Sequence, residues 1–358
     1  MLHRAWTLGL ALAIIGPLAL SGCAVNEMGD LPSDLSGTLD ASGSSAQGSA
    51  QEVWVAGFQR LNASVTVNYD PAGSGAGREA FLAGGTDLAG SDSPLSDDEL
   101  AGEFGGCAAG SRGIDLPLYI SPIAVIFNVD GLDQLRLSPQ VLAAVFRGDI
   151  ERWDDAAIVE LNPDSMLPNA AITAVHRSDD SGTTKNFTDY LAQAAPGVWD
   201  KPAGDAFPYA TGEAAQGNSG VVSAVTNGSN TIGYADASKA GDLGIAQLEV
   251  AGEFVAPSAN AAARIIDISP RVPNRTEHDL AFQLDRTPDE AGIYPLVLLS
   301  YLIVCEEYPD AGTAELVRAY LSYIASDDGQ RASAASAGSA PISAALAEEV
   351  NAAIASIR

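Results

Sequence analysis

Residues 171–193 read AITAVHRSDDSGTTKNFTDYLAQ, and the order of residue types in this stretch decides the fold class. A short β-branched and apolar run, AITAVH, leads through a polar turn softened by Gly182 into TKNFTDYLAQ, a segment of helical composition. Strand, turn and helix in that order form the unit of an α/β protein, whose helices cover its sheets. Outward from it the order recurs: SVTVNYD (64–70) before GREAFLAGG (77–85), YISPIAVIFNV (119–129) before SPQVLAAVFRG (138–148), and TIGYAD at 231–236. Towards the end, YPLVLLSYLIVC (294–305) predicts a strand pair or one long buried strand. TAELVRAYLSYIAS (313–326) predicts an amphipathic helix with Leu316, Tyr320 and Tyr323 on one side, and 343–358 another helix. The stretch QRASAASAGSAP (330–341) reads as loop or as frayed helix.

A chain of 358 residues accommodates two domains of ordinary size, and its 47% hydrophobic content supplies a core for each. Eighteen Lys and Arg face 46 Asp and Glu, a formal net charge of −28. That balance argues against a nucleic-acid partner and against an anionic membrane surface. Any anion the protein holds is held locally, against the overall field.

The first residues, MLHRAWTLGLALAIIGPLALSGCAVNE, combine a basic start, an apolar stretch and the small-residue box LSGC, which ends at Cys23. This predicts an exported lipoprotein: a signal peptide at 1–22, cleavage before Cys23, and acyl chains such as palmitate on that cysteine. The apolar run is too short to span a bilayer and is punctuated by Gly16 and Pro17. Residues 23–36 are polar and aperiodic, a tether between lipid and fold. Export to the outer face of the cell membrane also permits Cys107 and Cys305 to form a disulfide, the alternative being two buried thiols. His3 leaves with the signal, His176 and His278 remain, and no Cys/His cluster has metal-ligand spacing, so no metal and no cofactor are expected.

Three turns share one chemistry. DASGSSAQGSAQEVWVAGF (40–58), YDPAGSGAGREAFLAG (69–84) and RSDDSGTTKNFTDYL (177–191) each place glycine and hydroxylated residues in front of a helix. Taken singly, such residues are ordinary helix caps. Together they provide unpaired backbone N–H groups and the positive ends of helix dipoles for one anion, with Arg177 offering a planar fork. Catalytic alternatives fit less well. DSGT (180–183) lacks the second copy an aspartic protease needs, and no hydrophobic strand leads directly into its Asp. AGSGAG (72–77) lacks the glycine two positions before Ser74 that G-x-S-x-G requires, and no Gly-Lys-[ST] follows as in a Walker motif. The chain is not expected to be an enzyme.

Four segments carry a family likeness: GSGAGREAFLAGGTDLAGSDSPLSDDEL (73–100), VLAAVFRGDIERWDDAAIVELNP (141–163), AVHRSDDSGTTKNFTDYL (174–191) and NTIGYAD (230–236). With a looser match at DASGSSAQ, the chain resembles the lipid-anchored phosphate-binding protein of the bacterial phosphate-specific ABC transporter. The resemblance implies a two-lobed α/β periplasmic-binding-protein fold (type II), with hinge strands crossing between lobes. Residues 37–120 plus 295–358 would form lobe I and residues 121–294 lobe II, which puts Cys107 and Cys305 in one lobe. It implies high-affinity binding of inorganic phosphate by a monomer and delivery to the permease's membrane subunits. The implied contacts are Ser44, Ser45, Ala46 through its backbone N–H, Ser74, Asp92, Arg177, Ser181, Gly182 and Thr183. Asp179 would brace Arg177, and Trp153 of RWDD would pack inside a lobe. Asp92 would decide specificity: an ionised carboxylate accepts the proton that phosphate retains near neutral pH and that sulfate lacks. The alternatives are a receptor for sulfate or molybdate, or a phosphatase on the same fold.

Overall fold

The computed structural model describes residues 34–358; the signal segment and Cys23 lie outside the described residues. From Gly37 the chain alternates: β1 (Gly37–Gly43), α1 (Gly48–Leu61), β2 (Val65–Asp70), α2 (Ser74–Leu82), β3 (Leu88–Ser91) and α3 (Asp97–Leu100). It then runs through β4 (Gly113–Asn128), of which every residue but Asn128 is buried. Next come β5 (Arg136–Leu137), α4 (Pro139–Arg147), α5 (Ala156–Leu161), β6 (Thr173–Arg177) and α6 (Gly182–Ala194). After these follow β7 (Glu213–Ala215), α7 (Gly217–Asn227), β8 (Thr231–Asp236), β9 (Gly244–Ile245), β10 (Gln247–Val250), β11 (Glu253–Val255) and α8 (Ala259–Ile268). The chain returns in β12 (Val297–Cys305) and closes with α9 (Ala311–Ala325), α10 (Asp327–Ala337) and α11 (Ala344–Ser356).

The strand order β2-β1-β3-β12-β4-β8-β6-β7 shows how two lobes share one sheet; β5, β10 and β11 form a separate small sheet. Up to Pro122, β4 pairs antiparallel with β12; from Ile123 it pairs with β8. Pro122 has no N–H to give a ladder, so its place at the change of partner costs little. β12 is the single long strand among the two readings of 294–305, antiparallel to both β3 and β4. Both crossing strands are covered on both faces, which is why they are written almost wholly in apolar residues.

Helices cover the sheet as the alternation requires. α1 buries Trp54 and Phe58, and Trp54 Nε1 donates to Gly329 O. α9 buries Leu316 and Tyr320, while Tyr323 is half-buried against Phe58. In the second lobe Phe187 of α6 stacks on Tyr234 of β8, ring centroids 4.1 Å apart, and Phe146 of α4 packs against both. Each such side chain contributes ~1.5–3 kcal/mol by leaving water, and the stack fixes how α6 sits on its sheet. Trp153 is buried, with Nε1 on Asn230 O, and Asp155 caps α5. The ambiguous stretch at 330–341 is helical through Ala337 and stops at Gly338, whose φ of 59° suits a helix end. Cys107 and Cys305 are joined as a disulfide across 198 residues, tying the loop after α3 to the end of β12.

Candidate functional site

The three glycine-softened turns come together where the lobes meet. β1 ends at Gly43 (φ 146°), where a Cβ would stand 1.9 Å from Gly90 O; only glycine lets β1 turn this close to β3. Ser44, Ser45 and Ala46 follow in the turn ahead of α1. Ser44 Oγ accepts the N–H groups of Ala46 (3.1 Å) and Gln47 (3.3 Å). The Ala46 amide expected to face an anion is thus turned onto the neighbouring side chain, and the Ser45 amide is left free in its place. α2 starts at Ser74, whose Oγ accepts the Asp92 N–H at 3.1 Å. α6 is capped by Ser181, whose Oγ takes the Thr184 N–H at 3.1 Å. This hydroxyl is committed to a helix cap, which disfavours its use as a nucleophile.

A Cβ on Gly182 would lie 2.6 Å from Ser74 Oγ and 2.7 Å from Asp92 Cβ. The start of α6 in one lobe is therefore pressed directly onto α2 and the β3 end of the other, and no larger residue fits. Among the described residues, the N–H groups of Ser45, Ser74, Gly182 and Thr183 donate to no group of the protein. Buried amides are almost always paired. Four unpaired ones at a single place, three of them at helix starts, make a ready donor set for an oxyanion.

Asp92 lies in the middle of these donors with 3% of its surface exposed. Its Oδ1 accepts from Ser44 Oγ (2.5 Å) and Ser300 Oγ (2.6 Å), and its Oδ2 from Thr183 Oγ1 (3.1 Å). Burial pushes its carboxyl up from the usual range; the Ser300, Ser44 and Thr183 hydroxyls and the charge of Arg177 act the other way. Arg177, at the end of β6, is almost wholly enclosed. Its Nε donates to Asp179 Oδ1 at 2.8 Å, its Nη2 bonds Asp179 Oδ2, and its Nη1 lies 3.4 Å from Thr183 Oγ1. Burial opposes ionisation of Asp179, but the hydrogen bonds and charge of Arg177 outweigh it and hold this carboxyl below the ordinary range. The pair leaves little net charge, so attraction for an anion rests mainly on amides, hydroxyls and helix dipoles.

All the predicted residues are thus brought to one place: Ser44, Ser45, Ala46, Ser74 and Asp92 from the first lobe, Arg177, Asp179, Ser181, Gly182 and Thr183 from the second. Several others belong to it and were not read from the sequence. Ser300 is the lone serine in the apolar strand VLLSYLIVC, a signal that was visible. Gln47 orients it, Nε2 to Ser300 Oγ at 2.7 Å, and is itself bonded by Gln51 Nε2. Asn186 ties the lobes together through Asp92 O (2.6 Å). Arg78, one turn into α2, reaches Ser91 and Ser93 on either side of Asp92, Glu99 in its own lobe and Asp205 in the other. Asn218, in the glycine-flanked start QGNSG of α7, touches Ser45 and Thr183. His176 stacks on Phe207 with its Nδ1 at Arg177 O, and no group of metal-ligating residues occurs among the described residues.

A two-lobed α/β fold with converging helix starts at the lobe junction is the architecture of a periplasmic-type binding protein, and the PBP superfamily domain model matches residues 31–328. Phosphate-binding protein PstS 3 of Mycobacterium leprae is 39% identical over 288 residues, 79% of this chain and 78% of that protein. Phosphate-binding protein PstS of Methanocaldococcus jannaschii is 35% identical over 270 residues, 71% and 68% of the two chains. The chain belongs to the PstS family of phosphate-binding proteins. Its fold matches that of a high-affinity periplasmic phosphate-binding protein, PfluDING, solved with phosphate bound: TM-score 0.71, 24% identity, 88% of this chain and 93% of that one. The phosphate-binding protein from Stenotrophomonas maltophilia gives 0.69 at 19% identity, covering 88% and 94%.

Proposed function

We propose that the chain captures inorganic phosphate outside the cytoplasm and delivers it to an ABC permease, working as a single copy tethered by lipid on Cys23. The two lobes, residues 37–120 with 295–358 and residues 121–294, close over the anion. Its oxygens are held by the N–H groups of Ser45, Ser74, Gly182 and Thr183, by the hydroxyls of Ser44, Ser45, Ser74, Ser181 and Thr183, and by Arg177, which Asp179 steadies. The observation that carries this reading is Asp92: a buried carboxylate among hydroxyl donors and unpaired amides. A fully deprotonated anion would meet it as repulsion. Phosphate carries a proton that Asp92 accepts, in exchange for the bonds it now receives from Ser44, Ser300 and Thr183.

Isothermal calorimetry on the full chain in detergent tests this, with phosphate and sulfate titrated separately at neutral pH. Phosphate is expected to bind ~100-fold or more tightly than sulfate, the scale of discrimination a buried polar group enforces. No heat with phosphate, or equal affinity for sulfate, would refute it.

A further inference from the structure

Asn218 is fully buried at the second position of α7, and its side-chain amide makes three hydrogen-bond contacts. Its Oδ1 accepts the backbone N–H of Asp236 at 2.8 Å. A backbone N–H can only donate, so this contact settles which end of the side-chain amide is oxygen and which is nitrogen. Nδ2 therefore faces the junction, donating to Ser45 Oγ at 3.0 Å and to Thr183 Oγ1 at 3.3 Å. The backbone N–H of Asn218 donates to the same Ser45 Oγ at 3.2 Å.

A serine hydroxyl has two acceptor lone pairs and one hydrogen. Both lone pairs of Ser45 are filled from Asn218, so its hydrogen has to leave in the remaining direction, as a donor. Thr183 is constrained in the same way: Oγ1 receives Asn218 Nδ2 and Arg177 Nη1, and its hydrogen goes to Asp92 Oδ2. We infer that Asn218 is a specificity-determining positioning residue, which fixes the Ser45 and Thr183 hydroxyls as hydrogen donors at the anion site. Asp92 then stays the acceptor, and the site reads where a ligand carries hydrogen as well as its size and charge. Because Ser45 belongs to the first lobe and Asn218 to the second, the fixing of Ser45 happens only as the lobes close, which couples closure to donor orientation. This rests on the proposed binding of phosphate.

The experiment is a double-mutant cycle on the full chain in detergent, read by phosphate calorimetry, with the melting temperature of each ligand-free variant as the folding control. Asn218→Asp keeps the size and the acceptor for Asp236 N–H but puts an acceptor where Nδ2 donated, so both hydroxyls turn their hydrogens onto it. Affinity is expected to fall ~100-fold for Asn218→Asp and ~10-fold for Ser45→Ala. Because the first variant acts partly through Ser45, the double variant should lose little more than Asn218→Asp alone; the repulsion from the added charge is present in both backgrounds and cancels. Additive losses, or unchanged affinity in Asn218→Asp, would overturn the inference while leaving the phosphate reading intact. A wild-type chain that binds no phosphate refutes that reading instead. If Asn218→Asp does not fold, Asn218→Ala takes its place in the cycle with the same criterion.

Discussion

Asp205→Asn should weaken phosphate binding although the Asp205 side chain bonds none of the residues proposed to hold the anion; only its backbone O does, taking the Ser181 N–H at 3.0 Å, and the substitution leaves that bond in place. Arg78 Nη2 meets Asp205 Oδ2 at 2.7 Å between the lobes, with the arginine side chain 6% and the aspartate 20% exposed. Within its own lobe Arg78 keeps Glu99 Oε1 at 2.8 Å and the hydroxyls of Ser91 and Ser93. Those bonds survive opening, and only the Asp205 bond is made by closing. A hydrogen bond between charged groups is worth ~1.5–3 kcal/mol. Partial solvent access and the cost of drying the carboxylate, whose Oδ1 is buried without a partner, reduce this to ~1–2 kcal/mol of closing free energy. Since ligand binding is linked to closure, that loss raises Kd ~5–30-fold. Calorimetry measures Kd, stopped-flow release measures the rise in off-rate, and small-angle scattering at saturating phosphate measures the share of closed molecules. The phosphate-to-sulfate ratio should not change, because the latch acts on both ligands alike. A lower melting temperature with an unchanged Kd would overturn this account, showing that the pair holds the fold and not the closed state.

Asp92→Asn is expected to narrow the gap between phosphate and sulfate by ~10-fold or more, since the variant removes both the acceptor for phosphate and the charge that repels sulfate; competition calorimetry reads the ratio, and an unchanged one moves the discrimination elsewhere. Asp236 is buried and its carboxyl is pushed up to about 6, chiefly by burial and against the hydrogen bonds from Ser238. The folded chain therefore binds more protons than the unfolded chain between 3.8 and about 6, and stability from this group falls as pH rises through that window. Asp236→Asn should thus raise the melting temperature near neutral pH and leave it unchanged at pH ~3.5, a difference worth on the order of 2–3 kcal/mol; equal effects at both pH values would contradict this. Reducing the Cys107–Cys305 bridge removes a cross-link over 198 residues and should destabilise the chain by ~2–5 kcal/mol in denaturant titrations. Phosphate affinity should hold at denaturant-free conditions.

Much of this protein is written locally. The α/β class follows from strand-turn-helix order, as in 171–193, because period and turn chemistry are properties of adjacent residues. The Arg177–Asp179 brace and the Ser181 cap are two-residue and three-residue relations, and Asp92 was marked by its family segment. Ala46 lies in the predicted turn, but its amide is not free, because the side chain of Ser44, two residues earlier, accepts it. The partners of Ser300, Gln47 and Asn218 and the Arg78–Asp205 pairing could not be read: Ser300 meets Asp92 across 208 residues and Asn218 meets Ser45 across 173. Adjacent residues alone set the lobes' building units, the donors and the carboxylate acceptor. Long-range contacts were needed to set which way each hydroxyl hydrogen points and which charges meet between the lobes. Those depend on lone pairs and ions supplied by segments that become neighbours when the sheet is assembled and the cleft is shut.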